Sequence, residues 1–149
     1  MALITVLMGA PGAGKTTWVN KNRTDEVLLS SEAIRVWKSD VDAGAFMNGL
    51  RLQGLKAIKQ GKSVIVDATN TFPHHRAYWL KASIANAKPN RLIIFNTSLD
   101  ALLLAQRTRQ HPAADNVVRD HHRRMQLAMR TITAEGWDDI QVITRGLNG

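Results

Sequence analysis

Eight consecutive residues, Gly9-Ala10-Pro11-Gly12-Ala13-Gly14-Lys15-Thr16, match G-x-x-x-x-G-K-[ST] at every fixed position. That pattern builds a phosphate cradle, with glycines free to turn the backbone so that its N–H groups point inward. Lys15 at this spacing reaches the β- and γ-phosphates of a nucleoside triphosphate, and the Thr16 hydroxyl ligates Mg²⁺. Thr17 extends the nucleotide-contacting stretch from Gly9 by one residue. The flanks agree: Leu3 to Met8 is an apolar run of buried-strand length, and Lys15 to Asn22 reads as a helix whose positive dipole end faces the same spot.

Other residues able to do chemistry fall at the ends of apolar runs. Val64-Ile65-Val66 is closed by Asp67, where a carboxylate would hold Mg²⁺ through water or orient an acceptor. Val27-Leu28-Leu29 leads into Ser30-Ser31-Glu32. Glu32 and Arg35, three apart, share a helix face. The pair could take the proton of an attacking hydroxyl and hold a phosphate, or it could be a plain surface ion pair, and spacing alone leaves both open. Beyond Gln106 come Arg107, Arg109, Arg119, Arg123, Arg124 and Arg130. The first two precede His111-Pro112 in a segment, about 107–116, that reads as a lid over the triphosphate. Arg119 and Arg123 lie i,i+4 on one stripe, and a solvated basic helix accounts for Arg124 and Arg130. The histidine pairs His74-His75 and His121-His122 lack i,i+4 metal-ligand spacing and read as surface, with room for one near the acceptor. Trp18 and Trp137 read as core, while Trp37 and Trp79 each follow a strand-end loop.

These residues need a scaffold that gathers strand ends. Apolar runs at Leu3–Met8, Val27–Leu29, Val64–Val66, Leu92–Phe95 and Ile140–Thr144 alternate with helical stretches at Lys15–Asn22, Glu32–Lys38, Ala45–Gln60, Pro73–Ala87, Ser98–Arg109 and Asn116–Glu135. Alternation of this kind predicts an α/β fold, a parallel sheet with helices on both faces and ligands beyond the carboxyl ends of the strands. The 149 residues are expected to form one domain. There is no cysteine, which excludes disulfides and thiolate metal sites and fits a cytoplasmic protein. No run is long enough to span a membrane. The excess of 20 Lys+Arg over 12 Asp+Glu, +8 in all, favours a polyanionic partner.

In the order of its pieces the chain resembles the P-loop polynucleotide 5′-kinase family, especially kinase modules of bacterial and phage end-healing enzymes. The likeness runs through Ser30-Ser31-Glu32-Ala33-Ile34-Arg35, Val66-Asp67-Ala68-Thr69-Asn70, Gln106-Arg107, Val118-Arg119-Asp120-His121-His122-Arg123-Arg124-Met125 and Gly136-Trp137. It implies an adenylate-kinase-like P-loop fold that moves the γ-phosphate of ATP, with Mg²⁺, onto the 5′-hydroxyl of DNA or RNA. By the resemblance Glu32 is the general base and Arg35 contacts the acceptor's phosphate. Lys15 and Thr16 hold nucleotide and metal, and Arg107 is the lid arginine. Asp67, Asn70, Arg119 and Arg123 complete the acceptor side. In the family the position of Glu32 is usually aspartate. Two other functions fit the motifs: a kinase of a small-molecule or modified-base hydroxyl, and a nucleotide-dependent nucleic-acid-binding module without transfer activity.

Overall fold

A computed structural model describes residues 2–31 and 43–146. The helix expected over Glu32 to Lys38, and with it Glu32, Arg35 and Trp37, lies outside the described residues.

Five strands, β1 (Ile4–Met8), β2 (Val27–Ser30), β3 (Val64–Asp67), β4 (Asn90–Thr97) and β5 (Asp139–Arg145), form one sheet in the order β2-β3-β1-β4-β5. Every neighbouring pair is parallel. Among the described residues the α-helices are α1 (Lys15–Asn22), α2 (Ala43–Lys59), α3 (Pro73–Ala85), α4 (Leu99–Gln106) and α5 (Asp115–Ala128). All of β1 and β3 is buried, as their unbroken apolar runs require when a parallel sheet is covered on both faces.

The period-two alternation of the strands sorts the core into two layers. Ile4, Val6, Met8, Val64, Val66, Leu92 and Ile94 face one way, against Ile58 of α2, Trp79 and Leu80 of α3 and Met125 of α5. Leu7, Ile65, Ile93 and Phe95 face the other, against Val19 of α1 and Leu102 of α4. Val118 packs in this second layer although Met125 packs in the first. Helix α5 therefore passes from one face to the other, touching Asn96 near the end of β4 on the way.

Two helices depart from their expected lengths for local reasons. The last long helix was expected to reach Glu135 but stops at Ala128, where Arg130 and Thr131 switch to i→i−3 hydrogen bonds and a 3₁₀ turn follows at Ile132–Ala134. The β-branched run Thr131-Ile132-Thr133 is poor in an α-helix, and the shorter turn buries Ile132. Helix α4 ends at Gln106 rather than Arg109. Gly54, a weakness in α2 by propensity, has a packing reason. A Cβ there would lie 2.6 Å from both Leu29 and Trp79, so only glycine lets α2 sit this close to β2 and α3.

Register matters most at the carboxyl edge. Ser30 lies opposite Asp67, and the Ser31 N–H donates to the Asp67 carbonyl at 3.1 Å. The Gly9 N–H donates to the Thr69 carbonyl at 2.9 Å. The loops leaving β1, β2 and β3 are thus tied together where they depart from the sheet. No helix among the described residues is long and apolar enough to cross a membrane.

Candidate active site

The loop from Gly9 to Gly14 turns β1 into α1. Gly12 and Gly14 take φ of 87° and 107°, which side-chain-bearing residues rarely adopt. Gly14 stands at the N-cap of α1 without a side-chain cap, so the first N–H groups of the helix have no intrahelical partner and point out beside the loop. The Lys15 ammonium lies back over the loop, donating to the carbonyls of Gly9 at 2.8 Å and Ala10 at 3.0 Å.

A cavity of about 660 Å³ opens in front of this turn. Lys15, Thr16 and Thr17 line it from α1, Ser31 from the end of β2, and Asp67, Ala68 and Thr69 from the end of β3. Three strand ends thus converge on one space, as expected for a parallel sheet. Asp67 is buried and lines the same cavity as Thr16, so a carboxylate and a hydroxyl offer hard oxygen donors of two kinds. Mg²⁺ is typically held by one or two carboxylates, with phosphate oxygens and waters supplying the rest, so this donor set fits it.

The segment between α4 and α5 closes the other side, through Thr108, Arg109, Gln110 and His111. Its anchor is Gln106, a buried residue whose Nε2 donates to the Pro11 carbonyl at 2.8 Å and whose Oε1 accepts from the Ala113 N–H at 3.0 Å. One side chain therefore ties both ends of the segment to the phosphate loop. Of the two arginines in the segment expected as a lid, Arg109, past the turn, lines the cavity. Arg107, the expected donor-phosphate contact, is the C-cap of α4 and is exposed.

The remaining candidate residues fall in different surroundings. Arg119 and Arg123 share a stripe, but it is the solvent stripe of α5: both are exposed, and Arg123 pairs with Asp120 at 3.5 Å. Asn70 is buried and away from the cavity. Its Nδ2 donates to the Leu7 carbonyl at 2.7 Å, and its φ of 50° bends the loop after β3 back across β1. That contact holds the loop. Trp79 is core, 4% exposed, and Trp137 is buried with its indole N–H on Glu135.

Arg145 was not singled out in the sequence. It ends β5, lines the cavity, and brings its guanidinium to 2.5 Å from where a Cβ on Gly14 would stand. The signal was positional: the rule that located Ser31 and Asp67 at strand ends applies equally to the last strand.

The fold and the loop define a P-loop kinase-like domain. Residues 4–132 match the family model described as AAA domain, and the chain belongs to that family. Solved structures share the fold at low identity. A putative kinase from Chloroflexus aurantiacus superposes with a TM-score of 0.66 at 15% identity, over 96% of this chain and 85% of that one. A chain of the Pnkp1/Rnl/Hen1 RNA repair complex gives 0.73 at 17% identity, over 87% of this chain and 46% of that one, so the present chain spans less than half its length. Deoxyadenosine kinase from M. mycoides with bound dATP gives 0.58 at 13% identity, over 95% and 90%.

Proposed function

We propose that this chain is an ATP- and Mg²⁺-dependent phosphotransferase that moves the γ-phosphoryl group onto a hydroxyl, the 5′-OH of a polynucleotide. The observation that carries the reading is the single cavity shared by the phosphate loop, Ser31, Asp67 and Arg109. Direct transfer requires donor and acceptor to meet in line within one enclosed space.

In this reading the N–H groups of residues 9–16 and the Lys15 charge hold the β- and γ-phosphates, with Thr16 and Asp67 holding the metal. Mg²⁺ would supply charge neutralisation across those phosphates. Glu32, directly after the cavity-lining Ser31, accepts the proton of the 5′-hydroxyl as its oxygen bonds to Pγ. The bond from Pγ to the bridging oxygen breaks, and ADP leaves. Arg35 holds the acceptor's phosphate, and Arg109 meets charge on the transferring group from the lid. The polynucleotide acceptor is supported by the likeness of the Ser-Ser-Glu and Val-Asp-Ala-Thr-Asn segments to 5′-kinases, by the +8 charge, and by the fold shared with a component of an RNA repair complex.

The test is transfer of labelled γ-phosphate from ATP to a 5′-OH oligonucleotide. Deoxythymidine, a free sugar and a 5′-phosphorylated duplex containing hydroxymethyluracil serve as competing acceptors. Label on the oligonucleotide 5′ end is expected. Label on a competitor alone would keep the kinase and replace the acceptor. ATP bound with label nowhere would leave a binding module.

Two substitutions probe the assigned roles. Glu32→Gln is expected to lower kcat by about 10²–10³-fold, the usual contribution of a general base, with the KM for ATP nearly unchanged. A kcat within a few-fold of wild type would remove Glu32 from the chemistry. Arg109→Ala is expected to lower kcat/KM for ATP by about 10²-fold, as loss of a charged donor at the reacting phosphate does, while Arg107→Ala stays within about threefold. The opposite order would restore Arg107 to the lid role.

A further inference from the structure

The loop that leaves the cavity at Ala68 and Thr69 ends three residues later at Phe72, the N-cap of α3. Three residues of extended chain reach at most ~10 Å, so Phe72 stands within about that distance of the cavity-lining Thr69. Its setting is unusual in two respects. Phenylalanine cannot cap a helix, and α3 has no side-chain cap where Ser, Thr, Asp or Asn would be favoured. The ring is also 37% exposed.

What surrounds the ring is aromatic and cationic. The Arg124 guanidinium sits 4.1 Å from the ring centroid, and the rings of His74 and His75 lie at 5.5 and 5.4 Å. His74 and His75 are 4.3 Å apart, nearly edge to face. Burial, followed by the neighbouring His74, Arg51, Arg124 and Arg76, lowers the pKa of His75 and favours its neutral ring. Arg124 is held in place from below. Its Nε donates to Thr71 Oγ1 at 3.3 Å, and its Nη2 approaches His121 Nδ1 at 3.1 Å. Arginine has no acceptor, so His121 Nδ1 must accept there, and the Thr71 hydroxyl, 2.7 Å from the same nitrogen, donates to it as well. The guanidinium expected to be solvated is therefore fixed against the ring, while the arginines expected to bind, Arg119 and Arg123, face solvent.

With the Arg124 guanidinium over one face of Phe72, the rest of its exposed ring and the exposed His74 ring, one short loop away from the cavity, suit the bases of a single strand, and the fixed charge suits its phosphates. We propose that Phe72, His74 and Arg124 form a stacking platform for single-stranded polynucleotide whose 5′ end enters the cavity. The strand's first few bases are engaged, since a stacked strand rises about 3.4 Å per base and the span to the cavity is ~10 Å or less. This inference rests on the polynucleotide reading of the acceptor. Phe72 and His74 supply the stacking surface, and Arg124 meets a backbone phosphate.

The decisive variant is Phe72→Ser. It removes the ring but supplies a favoured N-cap, so α3 is not weakened. Binding of 3′-fluorescein-labelled single-stranded DNA and RNA, read by anisotropy, is expected to weaken about tenfold in Phe72→Ser, the loss typical of one base–aromatic stack, and to be restored in Phe72→Trp. A 2-aminopurine at the third position from the 5′ end should be quenched on binding to wild type and not to Phe72→Ser. Equal affinity and equal quenching in the two proteins, or no strand binding by wild type, would overturn the platform. The labelled-phosphate assay, run in parallel, separates the two ideas. Binding through Phe72 with no phosphate delivered to the strand would reject the proposed reaction and keep the platform. Delivery to the strand with the same oligonucleotide KM in Phe72→Ser would do the reverse.

Discussion

Replacing Lys15 with alanine is expected to lower kcat for phosphoryl transfer by about 10³-fold and to leave the fold intact. The magnitude follows from what the ammonium does in a confined site. A preorganised donor aimed at developing charge is worth about 10²–10³ in rate, and one carrying a full charge on the transferring phosphates sits at the top of that range. The structural half of the expectation comes from how the loop is held. Lys15 donates to the carbonyls of Gly9 and Ala10, but the loop keeps three other anchors. Thr97 Oγ1 donates to the Ala13 carbonyl at 2.9 Å, Gln106 Nε2 donates to Pro11, and the Gly9 N–H donates to Thr69. Losing the ammonium leaves the carbonyls of Gly9 and Ala10, both buried residues, without that donor, which should cost about 1–3 kcal/mol and still leave a domain of roughly 5–15 kcal/mol folded. Steady-state transfer rates and urea denaturation of the same preparation check both halves. Residual activity above about a tenth of wild type would mean that the phosphates are held by the backbone and the cavity arginines alone. Lys15→Arg should not rescue, because a planar fork cannot occupy the place of a point charge in this loop.

How much of the site could be read from the sequence depended on whether function sat in local spacing or in tertiary placement. The phosphate loop is local: its glycines, Lys15 and Thr16 act through consecutive backbone geometry, and residues 9–16 fold as the pattern demands. The strand ends were legible too, because a run of apolar residues closed by Ser31 or Asp67 has only one direction in which to present its polar end. The arginines were not legible. Whether Arg107 or Arg109 meets the cavity depends on where α4 stops, and a shift of two residues turns a helical side chain by about 200°. Arg124 and the stripe of Arg119 and Arg123 differ only in which side of α5 lies against α3, which the helix period cannot tell without the partner. Asn70 misled for another reason. A polar residue in a strand-end loop looks available for a ligand, but this one is consumed by the Leu7 carbonyl, a contact across 63 residues of sequence.

That loop rests in turn on a buried ion pair, and breaking it should have the largest effect on stability. Arg76, 1% exposed, points its guanidinium at Glu135, with Nη2 to Oε2 at 2.7 Å and Nε to both carboxylate oxygens at 3.1 and 3.2 Å. Its Nη1 donates to the Asn70 carbonyl at 3.1 Å, and the Trp137 indole donates to Glu135 at 2.9 Å. Glu135→Ala leaves a desolvated guanidinium with little besides one carbonyl, and is expected to cost about 3 kcal/mol, the lower end for breaking a buried pair because Glu135 is partly open to water. On a total of roughly 5–15 kcal/mol this is a large share. Replacing both residues, as Arg76→Met with Glu135→Leu, should recover much of the loss, since an apolar pair avoids the desolvation altogether. Stability is only half of the expectation. The double variant no longer holds the Asn70 carbonyl, one of the contacts that pin the segment from Asp67 to Phe72, beside those at Ser31, Gly9 and Leu7. A refolded, stable double variant should therefore transfer phosphate more slowly, by about tenfold if the loop carrying Asp67 is displaced by a fraction of an ångström. Urea midpoints and transfer rates for the single and double variants decide it. A single variant costing less than ~1 kcal/mol would show the pair to be solvated, and a double variant with full activity would show that Asn70 holds the loop through Leu7 alone.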